Sequence, residues 1–167
     1  MKIEDDGKDL IIPQKYSRRI FMNTPLLLFL GWTAHQKNFT LVKYITPCLL
    51  VSSWIHWNRP RHNSTIRKID WVLAIAMVIS ITRYEKRYRT LDRYLWRLSV
   101  CMQLLTVCYN SIRFTLETDP RYVFYTRPGT NQREDVYRWC VHTHMVFVHL
   151  LPCLAATLAI RRSRSVL

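Results

Sequence analysis

The sequence predicts an all-α fold, a multi-pass transmembrane helical bundle of about five helices, and three observations lead there. Apolar residues make up 49% of the 167, yet the chain carries a formal charge of +14. The two are reconciled by segregation: apolar segments at 20–34, 39–57, 69–82, 98–112 and 139–160 hold almost no charge, and the connections between them are dense in arginine and lysine. The segments also lack the polar residue every turn that a helix in a soluble bundle presents to water, as "DWVLAIAMVISIT" shows most plainly. A near-zero mean hydropathy is then an average over apolar spans and basic loops.

Residues 1–19 read as a polar N-terminal tail, acidic at its start and without the basic and apolar regions of a cleavable signal peptide. The first apolar segment is therefore expected to act as the insertion signal and to stay in place. It leads through the short connection "HQKN" into the second, and Pro25 and Pro47 fall where membrane helices tolerate proline. An α-helix needs about 20 residues to cross a hydrocarbon core of roughly 30 Å. The second and fifth segments reach that length. The first, third and fourth do so once flanking tyrosine, tryptophan and arginine snorkel to the interface, which suits a thin bilayer such as that of the endoplasmic reticulum. Between the fourth and fifth, Glu117 to Arg138 carries two prolines and a glycine and reads as irregular or interfacial. Residues 20–160 thus form one transmembrane domain, and 161–167 a basic C-terminal tail.

The cations cluster at the ends of the apolar segments: Arg18 and Arg19, Arg59 and Arg61, Arg67 and Lys68, Lys86 and Arg87, Arg161, Arg162 and Arg164. That placement fits anionic lipid headgroups rather than a nucleic-acid groove. The cytosolic N-terminus that makes the tail and the 58–68 and 117–138 loops basic inside leaves an equally basic 83–97 connection outside, against the positive-inside rule. The five cysteines all lie in apolar segments, without a CxxC pair, and read as free thiols.

In either orientation the end of the second helix, the start of the third and the start of the fifth face one side. Ser52, His56, Asp70, Cys140, His142 and His144 therefore share a leaflet. Ser52 and His56 stand at i and i+4 and project from one helix face, and Asp70 opens the next helix. Ionisable groups within a membrane are costly and turn to the bundle interior or a water-filled cavity. Cys140 and His144 are also i and i+4, while His142 points about 200° away from His144 and shares a face with His149. His56, Cys140 and His144 would supply three zinc ligands and an open position for water, or His142 in place of Cys140 if the first turn is irregular. Asp70 would take or orient the proton of that water, and Ser52 would hold it or polarise a substrate carbonyl. The same residues also fit a structural reading, in which Ser52 bonds its own backbone, Asp70 caps a helix or pairs with Arg67 or Lys68, and Cys140 packs.

The run "SSWIH", with Ser52 and His56 at Ser-x3-His spacing, followed by "IDW" with Asp70 and Trp71, resembles the superfamily of alkaline ceramidases, progestin and adipoQ receptors and related membrane hydrolases. Its members have seven helices and His-x3-His in the last, whereas this chain has room for about five and offers Cys140-x3-His144 or the pair His142 and His144. The resemblance implies a zinc-dependent hydrolase acting on a membrane lipid amide or ester. Three other readings compete: a non-enzymatic membrane scaffold, haem binding by His56 with His142 or His35 with His149, and transport.

Overall fold

The second to fifth apolar segments each fold within a helix, which satisfies their backbone N–H and C=O groups internally, whereas the first is broken by a turn at residues 22–25 into the end of one helix and a second of 11 residues. The computed structural model describes residues 14–58, 64–118 and 132–164, with no strand among the described residues. The helices are α1 (Gln14–Phe21), α2 (Leu26–Gln36), α3 (Thr40–Asn58), α4 (Thr65–Arg83), α5 (Thr90–Thr118), α6 (Gln132–Thr143) and α7 (Leu151–Arg161). A π-helical segment, His144–Leu150, joins α6 to α7 as one continuous rod. That rod together with α2, α3, α4 and α5 gives five principal helices among the described residues, the number expected.

The boundaries differ from the apolar segments in instructive places. α5 begins at Thr90, so the expected 83–97 connection shrinks to Tyr84–Arg89 around a 3-10 turn at Glu85–Arg87. Residues 14–19, read as tail, contribute most of α1, whose Tyr16 and Ile20 are buried. Residues 59–63 and 119–131, which include most of the expected irregular stretch, lie outside the described residues. By length and composition one helix among the described residues, Asp135–Arg161, is long and apolar enough to cross a membrane. α3 and α4 have the length, 19 residues each, but Lys43 with the serines and His56 in α3, and Arg67, Lys68 and Asp70 in α4, dilute their apolar character.

α3 packs between α2 and α4, while α7 lies against α2 and α5, and α5 also runs beside the π segment and α6. Gly31 sets the approach of α2 to α3, since a Cβ there would come within 2.9 Å of the Thr46 methyl. The main core gathers Leu30, Ala34, Phe39, Val42, Ile81, Trp96, Ala159 and Ile160. α2 ends in a Schellman turn, with Phe39 N–H donating to Ala34 C=O at 2.9 Å and Asn38 in the left-handed region at φ 58°. The end of the bundle holding this turn is tied by polar contacts. Arg87 stacks on Phe39 and donates to Lys37 C=O, Arg164 N–H donates to Arg87 C=O, and the buried Asp92 pairs with Arg162. Tyr88 donates its hydroxyl to Ile81 C=O at 2.8 Å, and burial, then Glu85, push that hydroxyl above the usual tyrosine range.

At the opposite end α1 lies across α3 and α6, closing a second apolar cluster of Tyr16, Ile20, Trp57 and Val141. The outward faces of all the principal helices carry large apolar side chains, among them Phe29, Trp32, Tyr44, Val72, Ile75 and Leu105.

Candidate functional site

Beneath α1, the polar residues of α3 and α4 meet. Ser52, Ser53 and His56 are buried on one edge of α3, and Asp70 is buried in the second turn of α4. Ser52 Oγ donates to Asp70 Oδ1 at 2.9 Å, and Ser53 Oγ donates to the same oxygen. Ser52 also shares its hydroxyl with Leu49 C=O at 3.1 Å. A carboxylate in an apolar helix pair is costly. Hydrogen bonds to a charged group contribute about 1.5–3 kcal/mol each, so the two serines account for how Asp70 is kept there. The juxtaposition of Ser52 with Asp70 expected from topology is therefore present, through a direct hydrogen bond. Ser53 is the partner that the motif spacing did not single out.

Three histidines surround the indole of Trp57. The ring centroids of His56, His144 and His149 lie 4.7, 5.1 and 6.4 Å from it, and those of His144 and His149 are 5.0 Å apart. His56 Nδ1, His149 Nε2 and Trp57 Nε1 are buried with no hydrogen-bond partner among the described residues. Buried polar atoms without partners cost about 1–3 kcal/mol each, and several at one place are uncommon in a folded chain.

The pairing of His149 with His144 corrects the expected helix register. Five residues of regular α-helix turn a side chain about 140° from its starting face, which would send His149 towards the side of His142. In the π segment the ladder steps back five residues instead of four: Leu151 N–H donates to Val146 C=O. His149 then stands over His144. Pro152 follows directly; in a regular helix its ring would collide with the carbonyl four residues earlier, that of Val148, and the widened turn relieves the collision.

His142 is exposed. Cys140 is buried, and its C=O accepts from Asn110 Nδ2 at 3.4 Å, while Asn110 also donates to Thr143 Oγ1 at 2.9 Å. Cys140 and Thr143 thus hold α6 against α5. No three or more histidine, cysteine, aspartate or glutamate side chains among the described residues form a group that could hold a metal ion as they stand, so neither His56, Cys140 and His144 nor the His142 variant is assembled. Of the proposed haem pairs, His142 is exposed while His56 is buried, and His35 is exposed against Trp32 near the end of α2 while His149 lies against Trp57. Trp57 is the site member that the sequence did not single out, and His149, expected on the face of His142 and considered as a haem ligand with His35, takes its place beside His144 instead; Pro152, three residues beyond it, was the available signal for the changed register.

No family model matches the chain, and neither does a curated protein or a solved structure.

Proposed function

We propose that the chain is a multi-pass, membrane-embedded, zinc-dependent hydrolase of a lipid amide or ester. The observation that carries this reading is the placement at the same end of the bundle of a hydroxyl-supported carboxylate and of three histidines around Trp57, two of which keep a buried nitrogen unpaired. The apolar outer faces of all the principal helices support placement in a bilayer, because exposed apolar surface on this scale is unfavourable in water. His56, His144 and His149 are the donors that would hold zinc, a set of imidazoles that suits this ion. Bound there, zinc would supply Lewis acidity and a water ionisable near neutral pH.

The chain's own residues then have distinct tasks. Asp70 receives both serine hydroxyls on Oδ1, which leaves Oδ2 to take the proton of an attacking water and return it to the leaving amine or alcohol. Ser52 and Ser53 keep that carboxylate oriented across the α3–α4 interface. Trp57, with Tyr16, Ile20 and Val141, covers the site and excludes bulk water. The basic ends of the helices suit an anionic headgroup beside the scissile bond.

The test is metal content and hydrolysis by the chain purified in detergent. About one zinc per chain is expected, lost in His56→Ala, together with zinc-dependent release of fatty acid from a lipid amide or ester. Stoichiometric zinc retained after His56→Ala would sink the site. A second reading, a non-enzymatic membrane scaffold with structural polar residues, is favoured by the lack of a ready-made three-ligand group among the described residues. It predicts a chain without zinc whose fold tolerates loss of all three histidines.

A further inference from the structure

We infer that the π segment His144–Leu150 is a one-residue insertion, held in place by Pro152 and by the packing of α7, whose effect is to turn a His-x4-His spacing into a facing histidine pair. Four observations carry it. The five-residue backbone step from Leu151 to Val146 is present. His144 and His149 within it have ring centroids 5.0 Å apart, and both lie against Trp57. Pro152 is buried directly beyond it. Downstream, Ala155, Ala156, Ala159 and Ile160 are buried in the main core, so α7 cannot rotate to restore a regular ladder without withdrawing them.

The physical logic is that one extra residue in a helix either rotates everything after it by about 100° or is absorbed in a widened turn. Here the core holds α7 on one side, and Asn110 holds Cys140 and Thr143 on the other. The extra residue is trapped between two anchored halves, and the widened turn carries His149 round to His144. As a means of positioning ligands, the inference rests on the proposed zinc-holding role of these histidines. As a statement of register, it stands without it.

Two full-length variants in detergent separate these. Deleting Val146 removes the insertion and leaves the histidines at i and i+4 of a regular helix. It is expected to fold with Tm within about 4 °C of the parent, whereas deleting Leu104 from the regular helix α5 rotates the remainder of that helix and unfolds the chain. In Phe147→His/His149→Ala the second histidine stands only three residues after His144 and moves off the shared face, and binding of Co(II), read from its visible absorption, is expected to weaken by at least about tenfold, while the Val146 deletion keeps it. Unfolding of the Val146 deletion to the same extent as the Leu104 deletion would overturn the inference, as would Co(II) binding in Phe147→His/His149→Ala equal to that of the parent. A parent that binds no Co(II), alongside a well-folded Val146 deletion, would uphold the register and overturn the metal-holding role.

Discussion

Asp70 shows how much of a site depends on single hydroxyls. Ser53 donates to it, and Ser52 divides its hydroxyl between Asp70 and Leu49 C=O. Ser53→Ala is therefore expected to cost more than Ser52→Ala, about 1–3 kcal/mol, and the double variant more than the sum of the two, because it leaves a buried carboxylate without a donor. Equilibrium unfolding in detergent would show this, and additive losses would mean that Asp70 is not held by the pair. At this scale the sequence was partly legible. Ser52, His56 and Asp70 stood out because polar groups in apolar segments are costly. Ser53 did not, since a neighbouring serine in a helix commonly bonds its own backbone, and only the position of α4 shows that it reaches across.

Between elements, the close approach of α2 and α3 rests on Gly31. Thr46 is β-branched and stiff in its helix, so a methyl group at position 31 has little room to be accommodated against its Cγ2, 2.9 Å away. Gly31→Ala is expected to cost about 1–3 kcal/mol, and Thr46→Ser in that background to recover most of the loss in Tm. A silent Gly31→Ala would mean that the pair is looser than described. The helices themselves were legible from the apolar runs, but the start of α5 was not. Arg93 and Arg97 read as loop, yet they continue a helix whose buried face is made by Asp92, Trp96 and Ser99. The register of the last helix was hidden for a different reason: counting 100° per residue presumes an unbroken ladder, and Pro152 with the packing of α7 breaks it.

For the whole molecule, Cys48, Cys101 and Cys108 lie on the outer surface, while Cys140 is buried. If the bundle spans a bilayer several times, these three outward thiols face lipid. A bulky water-soluble maleimide is then expected to leave the native chain in membranes unlabelled and to label it once denatured in detergent. Rapid labelling of the membrane-bound chain at these three positions would contradict the multi-pass reading. By itself the sequence determined the all-helical class, the number of principal helices and the placement of Ser52 and Asp70 at one end of the bundle, because segregated apolar runs dictate helices and short connections dictate which ends are neighbours. Only the tertiary structure decided which residues of the last helix face His56. Cys140 was buried with its carbonyl tied to Asn110, His142 turned outward, and His149 was brought to His144. That choice depends on two anchored halves of one rod competing over a single extra residue, a balance set by packing from several helices at once and invisible in any local stretch of sequence.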